Sequence, residues 1–318
     1  MTALIASKPL PLFDLNVWTT RQLACVEQAL SGWVAVAGDS PAAGGVRALE
    51  TAMRYAVLDG GKRLRPLLVL AACEAVNGNQ QAALRAACAV ELIHAYSLVH
   101  DDMPCMDNDV LRRGKPTVHV QFGQAQALLA GDALQALAFE ILTPEGHEVT
   151  PAIQARLCRL LARAAGYQGM AGGQAIDLAS VGLPLTSDEL HGMHRLKTGA
   201  LLEASVMMGA ACGSVSPQVE AALKHFGAAV GLAFQVVDDV LDVTADSATL
   251  GKTAGKDAAQ GKPTFVSLLG WQAAQDYAQE LLAQALNSVS SIAHLETQGP
   301  PRTAALQALA QRLVQRTH

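Results

Sequence analysis

The chain is 318 residues long; 51% of them are hydrophobic, only 16% charged and 4% aromatic, and that length is ample for a sizeable core. A formal net charge of -5 without a basic tract argues against a nucleic-acid partner. Six cysteines (25, 73, 88, 105, 158 and 212) lie far apart, which excludes a disulfide framework or a zinc site and predicts free thiols in a reducing compartment.

Ala and Leu, both good helix formers, dominate the apolar residues, and runs of Val, Ile and Thr are short. The fold class expected is all-α. A mean hydropathy of +0.23 raises the possibility of a membrane span. No apolar stretch reaches spanning length without a charge or strongly polar residue, and the greasiest window, 226–237, runs straight into Asp238 and Asp239. The first residues, MTALIASKPLPLFD, lack a basic start, an apolar core and a cleavage signal, so a cytoplasmic protein is expected.

In chain order, the predicted elements are helices joined by short Gly- and Pro-bearing loops. Breaks fall at 38–45, 60–61, 77–79, 103–116, 143–148, 182–184, 244–263 and 298–301. Long helices are predicted around 81–102, 118–142, 151–178 and 217–243. At about 25 residues such a helix spans roughly 37 Å, and a bundle of them encloses a deep central cavity. Thr150-Pro151 and Ser216-Pro217 mark helix starts, and Thr186 to Glu189 forms a capping box.

The chemistry-bearing groups follow the same order. Gly60-Gly61-Lys62-Arg63-Leu64-Arg65-Pro66 sets cations at a helix start, where backbone N–H groups favour an anion. The 81–102 helix carries Glu91, His94, Leu98 and Asp101 along one stripe. It leads into Asp101-Asp102-Met103-Pro104-Cys105-Met106-Asp107-Asn108-Asp109, four acids in nine residues, and then Arg112-Arg113-Gly114-Lys115. An isolated acidic run is most simply a solvated loop. Gly169–Gly173 follows no strand, so it allows close helix packing and does not form a nucleotide loop. His191 and His194 have polar flanks and no third ligand, which suits a surface helix end. Lys197-Thr198-Gly199 interrupts an apolar helix. Gln235, Asp238, Asp239 and Asp242, spaced i, i+3, i+4, i+7, share one face of an otherwise greasy helix, where acids need a partner. Lys252, Lys256 and Lys262 lie in the 244–263 loop. Two acid clusters on separate helices can together hold hard cations, and magnesium suits a few carboxylates plus substrate phosphates. With the basic clusters they describe a site for two diphosphates, one held through metal and one directly by Arg and Lys.

The ordered set GGKRLRP, DDMPCMDND, RRGKPT, GDALQALAFE, GGQAIDL, KTGAL, FQVVDDVLD and GKTAGKDAAQGKPTF resembles the short-chain trans-prenyltransferases, most closely the bacterial farnesyl diphosphate synthases. The resemblance is strong over 45–270. It implies a single domain, 1–318, of about ten helices in an isoprenoid-synthase bundle, assembled as a homodimer. Apolar stripes on 81–102 and 118–142 are compatible with that dimer. It also implies magnesium-dependent condensation of isopentenyl diphosphate with an allylic diphosphate, using three magnesium ions per site. By position, Lys62, Arg65, His94 and Arg113 are implied to bind isopentenyl diphosphate. Arg112, Lys197, Thr198, Gln235 and Lys252 are implied to contact the allylic diphosphate. Asp101, Asp102, Asp107, Asp238, Asp239 and Asp242 are implied at the metal, with Asp101, Asp107, Lys197 and Asp238 catalytic. Tyr96, with small Ser97 beside it, stands as a floor below Asp101. An aromatic residue there accompanies shorter products in the resembling family, so a C15 product is expected ahead of C20 or C10. The family's more usual polar-Thr-Tyr pattern is Pro263-Thr264-Phe265 here, with little chemical consequence expected.

Three other readings fit less well. Glu91-Leu92-Ile93-His94 matches a di-metal Glu-x-x-His unit, but no second such unit occurs. A non-catalytic regulatory subunit would have lost an aspartate-rich motif, and a terpene cyclase would not need Lys62, Arg65 and His94.

Overall fold

The helix-forming composition is realised throughout. The computed structural model describes residues 13–34, 44–58, 60–183, 185–244, 264–293 and 302–315. Its helices are α1 (Leu15–Trp33), α2 (Gly44–Val57), α3 (Leu64–Ala75), α4 (Gln80–Asp101), α5 (Val118–Phe122), α6 (Gln124–Glu140), α7 (Pro151–Ala165), α8 (Met170–Ala179), α9 (Ser187–His194), α10 (Ala200–Ala211), α11 (Pro217–Thr244), α12 (Phe265–Leu269), α13 (Trp271–Ala293) and α14 (Ala304–Val314). A π-helical turn, Arg195–Gly199, joins α9 to α10. Among the described residues the only strands are β1 (Leu111–Arg112) and β2 (Lys115–Pro116), a two-residue antiparallel hairpin.

The cap signals hold. The Thr150 hydroxyl accepts from Ile153 N at 3.4 Å ahead of Pro151, the Ser216 hydroxyl accepts from Val219 N at 3.3 Å ahead of Pro217, and Thr186 and Glu189 close a capping box. Two predicted long helices are each broken by glycine. Gly123 takes φ +87°, ending α5 and opening α6 inside the 118–142 stretch. Gly166 and Gly169 separate α7 from α8 inside 151–178. These breaks and the short caps account for a helix count above the ten expected.

Helices α3 and α10 form the centre, each burying ten of its twelve residues. On one side α4 packs against α3 and α6; on the other α11 packs against α10 and α13. One buried hydrophobic cluster runs from Trp18 in α1 to Val314 in α14. Helix α4 is long and apolar enough to cross a membrane by length and composition, yet 67% of its most apolar window is buried inside the protein. Its apolar stripe is therefore spent within the protomer and is not a dimer face. The 118–142 stretch, by contrast, leaves Val120, Leu128 and Leu129 exposed. Packing also brings together what the sequence holds apart: Cys73 on α3 and Cys212 after α10 both lie against Gly78, and the Cys212 thiol donates to the Met208 carbonyl at 3.2 Å.

Candidate active site

The site is assembled at the ends of buried helices. Ahead of α3, Gly60 and Gly61 have φ of 76° and 133°, and Arg63 is left-handed at 45°. This turn delivers Lys62 and, one helical turn on, Arg65 to a cavity of about 890 Å³. The β1–β2 hairpin adds Arg112 and Arg113, α4 adds His94, Tyr96, Ser97 and Asp101, the π-helical turn adds Lys197 and Thr198, and α11 adds Gln235 and Asp238. Twelve residues assigned from the sequence thus meet on one wall system, although they span 62 to 238 in the chain.

Other assigned residues lie elsewhere. Asp107 is in the loop after α4, its backbone N–H donating to the Asp101 carbonyl at 2.8 Å. Asp102 is 3% exposed and off the cavity wall; its carboxylate accepts from Arg112 Nε at 2.9 Å and from the Arg112 terminal nitrogen at 2.6 Å. Asp239 accepts from Gln235 Nε2 and from Phe265 N, both at 2.8 Å, and so caps the start of α12. Asp242 is buried too. Asp102, Asp107, Asp239 and Asp242 are not among the residues that line the cavity, whereas α11 contributes Phe234, Gln235, Asp238 and Leu241 to its wall. Lys252, Lys256, Lys262 and Pro263 lie outside the described residues.

The electrostatics are those of a site awaiting charged partners. Burial, reinforced by Asp107 and Asp102, pushes the Asp101 carboxyl up to about 6, although Lys197 and Arg112 pull the other way. Burial and the surrounding Arg65, Arg113, Arg112 and Arg63 hold His94 well below its ordinary value, so it stands as a neutral imidazole among cations. Burial also lowers the Arg65 guanidinium, and its Nε has no hydrogen-bond partner among the described residues.

The π-helical turn is clamped between two glycines. A Cβ on Gly173 of α8 would sit 2.1 Å from Lys197 N, and one on Gly231 of α11 would sit 2.9 Å from Gly199 Cα. The close packing expected of Gly169–Gly173 thus has a definite purpose at Gly173. The wider turn presents Lys197 and Thr198 to the cavity. Lys197 Nζ donates to Asp177 Oδ2 at 2.6 Å, and Thr198 Oγ1 donates to Gln235 Oε1 at 3.0 Å. Two residues given no role in the sequence belong here. Asp177 anchors Lys197, and Gln174, also on α8, lines the cavity with neither amide atom partnered among the described residues. The signal was their i, i+3 spacing within GGQAIDL.

His194, expected at a surface helix end, is buried instead, at 7% exposure. His191 bonds Ser187 O at 2.7 Å and the Tyr277 hydroxyl at 3.2 Å, while His194 packs on Phe265 with ring centroids 5.3 Å apart. Among the described residues no three His, Cys, Asp or Glu side chains converge as a ready-made cage. The donors that reach the cavity are hard carboxylate oxygens from two helices, which suits an ion that takes few protein ligands and completes its shell with phosphate and water.

Comparison with known proteins gives consistent matches. The family model described as polyprenyl synthetase matches residues 46–297. A probable farnesyl diphosphate synthase of Sinorhizobium fredii is 47% identical over 281 residues, covering 87% of this chain and 82% of that protein. A chloroplastic geranylgeranyl pyrophosphate synthase of Capsicum annuum is 46% identical over 274 residues, covering 86% and 72%. A crystal structure of a Helicobacter pylori geranyltransferase complexed with magnesium and isoprenyl diphosphate superposes with a TM-score of 0.81 at 34% identity, covering 96% of this chain and 99% of that one.

Proposed function

As a member of the polyprenyl synthetase family this chain is a prenyltransferase, a prenyl diphosphate synthase, and we propose that it joins isopentenyl diphosphate head-to-tail to dimethylallyl and then geranyl diphosphate, with farnesyl diphosphate as its main product. The observation that carries this reading is one cavity to which two helices bring Asp101 and Asp238 while separate elements bring Lys62, Arg65, Arg112, Arg113 and Lys197.

The residues divide into two diphosphate subsites. Lys62, Arg65 and Arg113 hold isopentenyl diphosphate, with neutral His94 as a hydrogen-bond partner that adds no charge. Arg112, Lys197, Thr198, Gln235 and Lys252 hold the allylic diphosphate. Asp101, Asp107 and Asp238, with Asp102, Asp239 and Asp242 beside them, would hold magnesium at three ions per site; that the ion is magnesium is supported by the Helicobacter pylori neighbour, whose structure is complexed with magnesium. When bound, magnesium supplies Lewis-acid neutralisation of the departing diphosphate. Lys197 and Arg112 stabilise the negative charge that grows on that diphosphate as its C–O bond breaks. The Thr198–Gln235–Asp239 hydrogen-bond chain fixes the Thr198 and Gln235 side chains on the cavity wall. Tyr96, Met170, Ala171, Leu178 and Phe234 exclude water from the allylic cation. The alkene of isopentenyl diphosphate attacks that cation, and the released diphosphate takes the proton.

The relatives carry both farnesyl and geranylgeranyl names, so product length turns on Tyr96. Its ring lies on the cavity wall about 7.5 Å down α4 from Asp101 and stands as a floor there. The continuous buried cluster supports one domain over 1–318, and exposed Val120, Leu128 and Leu129 support a homodimer. The bacterial relative supports a cytoplasmic enzyme. The test is turnover of labelled isopentenyl diphosphate with dimethylallyl diphosphate and magnesium, with products resolved by chain length. A C15 product is expected, and Asp101→Ala or Asp238→Ala should lower kcat on the order of a thousandfold with the fold intact. A mainly C20 product overturns the length assignment, and near-normal turnover in either variant overturns the metal assignment.

A further inference from the structure

Arg63 has no role in the chemistry above, and it does not reach the cavity wall, yet it is among the most constrained residues of the molecule. It is 4% exposed and sits in the left-handed region at φ 45°, a conformation that side chains other than glycine, Asn and Asp seldom adopt. Its guanidinium is fully engaged. Nε donates to Glu27 Oε1 of α1 at 2.7 Å, one terminal nitrogen donates to Glu91 Oε1 of α4 at 2.8 Å, and the other donates to the Val57 carbonyl at the end of α2 at 2.7 Å. Three helices are therefore tied to one side chain. The Val57 carbonyl is one that the helix end would otherwise leave unpaired. The planar guanidinium fork can reach all three acceptors at once, whereas an ammonium cannot. Glu91, 3% exposed, gives its carboxylate to this clamp, which explains a buried acid one turn from His94 without a metal.

The other face of the same turn is also held. Arg113, itself left-handed at φ 53°, donates to Gly60 O at 2.7 Å and lies against Gly61, where a Cβ would meet its guanidinium at 2.7 Å. The turn that carries Lys62 and opens α3 at Arg65 is thus fixed from beneath by Arg63 and from above by Arg113. We infer that Arg63 is a positioning residue, whose clamp on Glu27, Glu91 and the α2 terminus holds the left-handed turn that aims Lys62 and Arg65 at the isopentenyl diphosphate subsite. This rests on the subsite assignment above. It predicts a defect weighted towards one substrate, because Lys197, Thr198 and Gln235 of the allylic subsite stand on the π-helical turn and α11, to which Arg63 makes no hydrogen bond.

The experiment is steady-state kinetics of the full-length enzyme, varying each substrate in turn, on Arg63→Lys, Glu27→Gln and Arg65→Ala, with thermal melts of each. Arg63→Lys should raise KM for isopentenyl diphosphate roughly tenfold, the scale of one well-placed charge-assisted hydrogen bond, and Glu27→Gln by about threefold. The allylic KM and the kcat at saturating isopentenyl diphosphate should stay within about twofold. If Arg65→Ala raises KM for isopentenyl diphosphate while a folded Arg63→Lys does not, the positioning role is wrong and the subsite assignment stands. If Arg65→Ala leaves that KM unchanged, the subsite assignment is wrong. If kcat and both KM values shift together in Arg63→Lys, Arg63 is merely structural and the inference falls. Should Arg63→Lys not fold, Glu27→Gln is judged by the same criteria.

Discussion

Lys197 is flanked by two residues on which its behaviour depends. Asp177 takes its ammonium at 2.6 Å, and His194, three positions back, is buried on Phe265 with neither ring nitrogen hydrogen-bonded among the described residues. Asp177→Asn should keep the shape and lose the charge, lowering kcat about tenfold while leaving KM for isopentenyl diphosphate within about twofold; equal loss in both parameters would show a general packing defect instead. Burial, with Lys197 and His191 adding to it and Asp177 opposing, lowers His194 to about 4. The folded value is below the unfolded one, so the ring contributes stability above about pH 6.5 that is lost as pH falls towards 4. His194→Leu should therefore reduce the fall in Tm between pH 7 and pH 4.5, by up to about 3 kcal/mol of stability at the lower end. An unchanged acid slope would rule this out, and some slope will remain because His94 is depressed in the same direction. At this scale the sequence shows where the acids fall along the helices but not which way they face. Asp238 and Asp239 are adjacent, and one-dimensional spacing cannot separate a cavity wall from a cap on α12; that depends on where Phe265 docks.

At the scale of elements, α4 and α11 are visible because each is a long helix-forming stretch ended by a loop signal, whereas the breaks at Gly123 and Gly166–Gly169 are not. A glycine inside a helical pattern is compatible with continuation, and the packing of α5 and α6 against each other and against α2 accompanies the φ of +87° at Gly123. The value of α4 lies in its length, because it carries both the acidic end and the floor of the cavity. Tyr96 has its ring centroid 5.7 Å from that of His100, edge-on, and packs against the main hydrophobic core. Tyr96→Ala should open the cavity downward and shift the product from C15 to C20 or longer while preserving turnover, read by chromatography of the dephosphorylated alcohols. Truncating this half-buried aromatic should also cost about 2 kcal/mol of stability, towards the low end of the range for core positions. An unchanged product would place the floor elsewhere, with Leu178 and Phe234 the next candidates.

For the whole molecule, the distribution of apolar surface separates what is spent inside the protomer from what remains. Helix α4 satisfies the length and composition of a membrane span, but its apolar window faces α3 and α6. Helices α5 and α6 instead present Val120, Leu128 and Leu129, between 47% and 50% exposed. Exposed apolar side chains clustered on neighbouring helices are characteristic of an interaction surface. Light scattering should give the mass of two chains for the native protein and of one for Leu128→Glu with Leu129→Glu; a native monomer at working concentration contradicts the homodimer. Composition alone carried the fold class. The assembly is not legible in the same way, because the periodicity that marks an apolar stripe is identical whether the stripe meets its own bundle or another copy.

The π-helical turn has a consequence for how such a protein can change over generations. A turn of this kind holds one residue more than the α-helix it interrupts, so removing a single codon within Arg195–Gly199 would let α9 and α10 run on as one regular helix without rotating either flank out of register. Every buried contact of α10 would survive, and only the bulge that delivers Lys197 and Thr198 would vanish. A stable, inert descendant is thus one deletion away, while an active enzyme regained from it needs an insertion at that same spot. A variant lacking Thr198 should melt within a few degrees of the native protein and show no turnover; gross unfolding would show that the bulge is also required by the bundle.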